Sequence, residues 1–373
     1  MTSRRLLILG AVAIVAIVAG VWLAGREGSS GASAGNDALY PGLKEQLNAI
    51  DAVRIYKAGD ARVVDLARKN DVWTVSERNG YPADDGKVRK LLIAIADAKV
   101  REEKTSDPQQ YAKLGVEDTK GSGATSLRIE LAGAPKPVDL IVGKNGGGAN
   151  SNYVRRAGEP KSWLIGTSID TSATPEAWLR KDIIDVSADR IQSAAVNAHA
   201  DDKGAKPYTA AKSTRADANF SVEGLPKGKS LSAPTAANSF AMALTGLSLA
   251  DVKPASAFQS TQPAAHATFK TFDGLVVELD GWVQDQKHYI ALRPSFDAAQ
   301  AERFKVATAP SEEKKDEKSE GAAQQPEPPK PAAPDVAEDA KSVATKVGGW
   351  VYEIPDYKYE GIFKPVEQLV GSK

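Results

Sequence analysis

The sequence predicts an α+β protein: an N-terminal single transmembrane helix followed by two similar, mainly antiparallel sheet units, each covered by an amphipathic helix. Three observations predict it. One long apolar run near the N-terminus carries no charge, the rest alternates in the manner of strands, and one order of elements occurs twice. The 373 residues allow two to three domains at about 150 residues each.

The apolar run is Leu6 to Leu23, preceded by Arg4 and Arg5. About 20 apolar residues in a helix span the hydrocarbon core, and basic residues before it favour a cytoplasmic N-terminus. Residues 1–27 are therefore expected to be an anchor with a short cytoplasmic N-terminus. The expected location is the bacterial inner membrane, single-pass, with the bulk of the chain periplasmic. A signal peptide cleaved after Ala34 is the rival reading, but the run exceeds the usual h-region of about 7–15 residues. Residues 28–48 read as a flexible tether rich in Gly, Ser and Ala. The Gly31-Ala32-Ser33-Ala34-Gly35 match to a hydrolase elbow lacks the strand and helix that such a turn requires.

The first unit is expected over residues 49–186. Val53 and Ile55, then Trp73 and Val75, alternate with polar residues as half-buried strands do. Pro82-Ala83-Asp84 opens a helix on which Val88, Leu91, Leu92 and Ile95 form one stripe, with Asp84 placed to cap its start. Pro108 to Leu114 reads as a short helix ended by Gly115. Strands follow at Leu127 to Leu131, Val138 to Val142, Tyr153 to Arg155 and Trp163 to Ile165, and Pro175 to Leu179 closes the unit.

The second unit is expected over residues 187–373 and repeats this order. Ile191 to Val196 stands for the first strand, and Phe220-Ser221-Val222 stands where Trp73-Thr74-Val75 stood. After Pro234 a second amphipathic helix is predicted from Phe240, Ala243, Leu244 and Leu247. Asp273-Gly274 between alternating runs is a hairpin turn. His288 to Arg293 and the strand of Trp350 follow, and Ile362 to Leu369 resembles the earlier closing turn. Between them, residues 297–346 are rich in Ala, Pro, Glu and Lys and read as a disordered insertion.

Composition excludes several chemistries. The 48 basic and 48 acidic residues cancel, which argues against a nucleic-acid partner held by phosphate neutralisation. With no Cys, disulfide scaffolds, thiolate metal sites and thiol nucleophiles are excluded. His199, His266 and His288 stand apart from one another, and Gly143 to Gly148 lacks the order of a phosphate loop and reads as a hairpin loop. Asp84-Asp85 and Asp201-Asp202 are neighbours whose side chains diverge, so capping and solvation explain them. No catalytic, cofactor or metal residue is assigned, and no cofactor is expected. Trp73, Trp163, Trp282 and Trp350 fall in strands and are the candidate ligand or partner contacts, with core packing as the simpler role.

The Trp73-x-Val75 strand, Pro82-Ala83-Asp84, Tyr111-Ala112-Lys113-Leu114-Gly115-Val116, Val142-Gly143, Tyr153-Val154 and Trp178-Leu179-Arg180-Lys181-Asp182 resemble the bacterial family called domain of unknown function 4340. The resemblance is strongest from about Ile50 to Val186. It implies no activity or catalytic residue, and it implies company with ABC-type export systems. The function expected is a non-enzymatic periplasmic accessory or interaction subunit of an ABC-type transport system, with transporter subunits and the membrane as partners. The alternative is a module binding cell-wall glycan or peptide.

Overall fold

The computed structural model describes residues 37–148, 150–198, 207–258, 262–305 and 335–371. They form two compact units divided between Arg180 and Lys181.

Unit 1 carries β1 (Ala52–Lys57), β2 (Ala61–Lys69), β3 (Val72–Val75), β4 (Tyr81–Pro82), helix α1 (Asp85–Ala96) and β5 (Val100–Glu103). Helix α2 (Pro108–Leu114), β6 (Leu127–Ala132), β7 (Val138–Asn145), β8 (Asn152–Arg156) and β9 (Ser162–Ile165) complete it. The strands make one nine-stranded antiparallel sheet in the order β4-β3-β2-β1-β6-β7-β8-β9-β5. Its inner face buries Val53, Ile55, Val64, Leu66, Ile129, Leu131 and Leu140. On α1, Val88, Leu91, Leu92 and Ile95 are all buried, and the Asp84 side chain accepts from the Lys87 N–H as the helix start requires.

Unit 2 carries β10 (Asp182–Ile184), β11 (Ile191–Asn197), β12 (Tyr208–Ala211), β13 (Ser221–Glu223), β14 (Leu247–Ser248) and β15 (Asp251–Pro254). Then come β16 (Ala265–Thr271), β17 (Leu275–Gln284), β18 (Lys287–Phe296), helices α3 (Ala298–Arg303) and α4 (Val336–Val347), β19 (Trp350–Ile354) and helix α5 (Asp356–Ile362). Its main sheet is eight-stranded in the order β13-β12-β11-β16-β17-β18-β19-β15. That is the order of unit 1 without the β4 edge. The Asp273-Gly274 hairpin stands between β16 and β17, with Gly274 at a φ of 92° that a side chain would oppose. At Gly281 a Cβ would lie 2.6 Å from the Phe363 ring and 2.8 Å from the Tyr359 hydroxyl. The bare backbone there lets the segment around α5 close on the sheet.

The parallel extends to single contacts. The Arg68 guanidinium lies 5.7 Å from the Trp73 ring centroid, and the Lys212 ammonium lies 5.0 Å from that of Phe220. The Arg68 N–H donates to the Asp51 carbonyl as the Lys212 N–H donates to that of Gln192. Each unit also closes on itself in the same way: Leu179 bridges to Ala83 in unit 1, and Val370 bridges to Leu231 in unit 2.

The expected fold class is corrected on three counts. The molecule is mostly sheet. No helix among the described residues is long and apolar enough to cross a membrane. The anchor expected over Leu6 to Leu23 falls outside the described residues, as do the Gly31 to Gly35 segment, His199 and Asp201-Asp202. With no such helix among the described residues, the single-pass inner-membrane location is not supported.

The third count is the helix predicted after Pro234, which is a chain of tight turns with a 3-10 segment at Asn238–Met242. Phe240, Ala243, Leu244 and Leu247 are buried as the stripe required. However, the N–H groups of Ala236, Asn238, Phe240, Ala243 and Thr245 each bond three residues back. Asn238 spends its side chain on the Phe220 N–H (3.2 Å) and on Asn219 (2.7 Å), and Gly246 turns left-handed at φ 55°. Both oppose a regular helix. The ends of the expected 297–346 insertion are ordered too, as α3 and α4, each started by an aspartate cap at Asp297 and Asp335.

Candidate binding groove on the sheet of unit 2

The outer face of the β13-β12-β11-β16 half of this sheet carries a groove of about 510 Å³. Register builds its floor. Ser221, Ala211, Ser193 and Lys270 pair across four strands in one row, and Glu223, Thr209, Ala195 and Thr268 pair in the next. Apart from Lys270 and Glu223 at the ends, no floor side chain is larger than threonine. The wall is α3 with the residue after it, which contribute Gln300, Arg303 and Phe304.

Helix α3 is held in place from below. Gln300 is buried and its amide donates to the Gln192 side chain (3.0 Å) and the Thr271 carbonyl (3.3 Å). The Phe304 ring meets Phe272 edge-on at 5.0 Å. Asp297 caps α3 through the Gln300 N–H (3.1 Å) and lies 3.5 Å from the Lys270 ammonium. The Gln300 N–H first, and Lys270 after it, hold the Asp297 carboxyl below the ordinary carboxylate range despite slight burial.

The lining is cationic. Lys212, Lys270 and Arg303 face one carboxylate, Glu223. Lys270 has Asp297 nearby, whereas Lys212 and Arg303 have no carboxylate within ion-pair distance among the described residues. Hydroxyls of Ser193, Thr209, Ser213, Ser221 and Thr268 supply donors and acceptors on the same surface.

A charged cluster borders the groove. His266 on β16 pairs with Asp280 on β17, Nδ1 to Oδ1 at 2.6 Å. Arg293 from β18 also donates to Asp280 and lies 3.3 Å from Glu278. Burial alone would raise the Asp280 carboxyl, but Arg293, then His266, outweigh it and hold the group low. An ionised carboxylate only accepts, so His266 Nδ1 carries the proton of this bond.

The four tryptophans are not brought together. Trp73 is buried on β3 and borders a separate 430 Å³ hollow with Arg68, Asp71, Asp85 and Arg89. Trp163 is buried on β9, six strand steps away in the same sheet, with Arg156 5.0 Å from its ring. Trp282 packs with Phe258, Tyr289 and Val351 in a small core of unit 2. Trp350 is half-buried on β19 beside β15. None of them lines the groove.

Of the other candidates, His288 contacts Asp356 (2.8 Å) and stacks on Tyr359. Gly143 to Gly148 lies at the β7–β8 connection, where the Gly146 N–H meets the Ser151 carbonyl at 3.2 Å. Among the described residues no group of His, Asp and Glu is arranged to hold a metal ion.

The chain belongs to the family described as Domain of unknown function (DUF4340), which matches residues 73–271, more than half of its length. No curated protein and no solved structure matches it. The matched segment runs from Trp73 of β3 to Thr271, the last residue of β16, and so includes the whole groove floor but not the α3 wall. The motifs that carried the resemblance work as structural locks. Tyr111 donates to the Pro160 carbonyl at 2.5 Å, with the Arg155 guanidinium 4.6 Å from its ring, and the Val116 carbonyl accepts from Arg155 Nε at 2.8 Å. The Trp178 carbonyl accepts from the Asp84 N–H at 2.8 Å.

The groove was missed in sequence because its floor residues are individually ordinary. The available signal was positional: the second half places Ala195, Thr209 and Thr268 where the first half places Arg54, Asp65 and Glu130.

Proposed function

We propose that the protein is a non-enzymatic interaction subunit whose working surface is the groove of unit 2. The observation that carries this reading is a cationic, hydroxyl-floored groove at sheet positions that unit 1 fills with its own ion pairs. A component of an ABC-type transport system, the company implied by the family resemblance, is the partner to test first.

Edge geometry supports the same surface. Exposed strand edges recruit partner strands unless they are blunted. In unit 1, β4 is two residues long and ends in Pro82, while β5 carries Arg101, Glu102 and Glu103 and a register shift. In unit 2, β15 ends in Pro254. The other edge of the main sheet of unit 2 is β13, which has no proline and whose Ser221 and Glu223 line the groove. The alternative of a module binding cell-wall glycan or peptide through the tryptophans is less favoured, because the four are dispersed and none lines the groove.

The test is site-specific photo-crosslinking in cells, with the reactive residue at Ala195 in the groove or at Arg62 on unit 1. Adducts with identified transporter subunits are expected from position 195 and not from position 62. Equal yields at the two positions, or none at 195, would overturn the reading.

A further inference from the structure

Resting on that reading, we propose that the groove takes an acidic polypeptide segment in extended conformation, laid across the strands from β13 to β16. Charge, shape and reach each support this occupant.

The charge is complementary. Two of the three cations that line the groove, Lys212 and Arg303, have no carboxylate within salt-bridge distance among the described residues, Asp217 acting on Lys212 only from farther away. Glu223 is the one carboxylate of the lining, at its β13 end. Their ammonium and guanidinium groups sit beside aromatic rings, Lys212 near Phe220 at 5.0 Å and Arg303 near Phe304 at 5.3 Å. Such contacts limit side-chain wandering and leave donor N–H groups free to meet a carboxylate.

The shape suits a peptide backbone. Ser193, Ala195 and Ala211 leave the centre of the floor low, so a chain can approach closely, and the hydroxyls of Thr209, Ser221 and Thr268 can bond its amide groups. Three inter-strand steps of about 4.8 Å make a track of roughly 14 Å, which four extended residues at about 3.3 Å each would cover. In an extended segment alternate side chains share a side. An acidic residue at every second position would therefore present its carboxylates to Lys212, Lys270 and Arg303, while a basic segment would meet like charge.

The proposal is tested by fluorescence anisotropy on the full chain with three labelled octapeptides: alternating Glu-Ser, alternating Gln-Ser and alternating Lys-Ser. Binding of the Glu-Ser peptide alone is expected, weakening as salt is raised. The Lys212→Glu/Arg303→Glu double variant should lose at least tenfold in affinity, as should Ala195→Trp, which fills the floor. Arg89→Glu, beside the hollow of unit 1, should leave binding unchanged, and circular dichroism reports whether each variant is folded. Equal binding of the Gln-Ser peptide, or indifference to the charge reversal, would overturn the acidic occupant. If Ala195→Trp still abolishes cellular crosslinking from a reporter at Thr209, the interaction reading survives that failure. No binding of any octapeptide also overturns the proposal, and loss of the crosslinks as well would remove both.

Discussion

The outer faces of the two sheets occupy the same topological positions and are finished in opposite ways. In unit 1, Arg54 stands between Asp65 and Glu130, 3.8 Å from one carboxylate and 2.7 Å from the other. Arg128 continues the lattice to Asp139 at 3.0 Å, and Tyr56 donates to Glu130 at 3.0 Å. In unit 2 the corresponding row is Thr209, Ala195 and Thr268, and the surface is left open. The inner faces, by contrast, are alike: Trp73 and Phe220 are both buried. Topology and core are thus held in common, while three outward side chains decide whether a face is closed by its own charges or left for something else.

The largest expected effect tests the likeness of the inner faces. Trp73→Ala and Phe220→Ala should each cost about 3–5 kcal/mol, the usual range for emptying a buried aromatic site. Urea unfolding measures both, and a large disparity would break the equivalence. A middle-sized effect tests the outer faces. Arg54→Ala leaves two half-buried carboxylates without their shared donor and should cost about 1–2 kcal/mol, discounted for partial exposure. Thr268→Ala in the open row should stay within about 0.5 kcal/mol, as surface changes usually do. Similar costs for the two would show that the open face is also a stabilising lattice.

The smallest effect concerns two carboxyls, half-buried Asp139 and buried Asp280, whose ionisation is shifted in opposite directions. Burial raises the Asp139 carboxyl and outweighs Arg128, with Glu130 and Asp60 adding to the rise. Its ionised form therefore costs the folded state stability at neutral pH, a cost that disappears below the ordinary carboxylate pKa of about 4. Asp280 is held low, so its contribution is present above about pH 4 and is lost as pH falls through its depressed folded value. At pH 7, Asp139→Asn should leave the denaturation midpoint unchanged or raised, while Asp280→Asn should lower stability by about 1 kcal/mol. Both differences should shrink toward pH 3, and a loss at Asp139 matching that at Asp280 would refute the assignment.

Much of this architecture was legible because it rests on local signals. The cap at Asp84, the Pro108 start and Gly115 stop of the short helix, the Asp273-Gly274 turn and the strand alternations each act within a few residues. The match of Phe220-Ser221-Val222 to Trp73-Thr74-Val75 already pointed to the repeat that the strand orders display. The second helix was misread because its apolar spacing is helical while its bonding is set from a distance, by the ties of Asn238 to Ala218, Asn219 and Phe220. The groove was illegible for a related reason. Small polar residues acquire meaning only when register sets Ser193, Ala211 and Ser221 side by side.

In unit 1, α1 is fastened at both of its tips. Before it, the Arg180 N–H reaches the Pro82 carbonyl and the Asp84 N–H reaches that of Trp178. Beyond its far tip, the Leu39 N–H reaches the Ala98 carbonyl and the Val100 N–H reaches that of Asp37. The chain therefore comes in at one tip of the helix and leaves at the other, about 18 Å apart for twelve residues at 1.5 Å each. Each fastening also includes a strand at an edge of the nine-stranded sheet, β4 through Pro82 and β5 through Val100, so a load entering by them would be shared between the helix and both margins of the sheet.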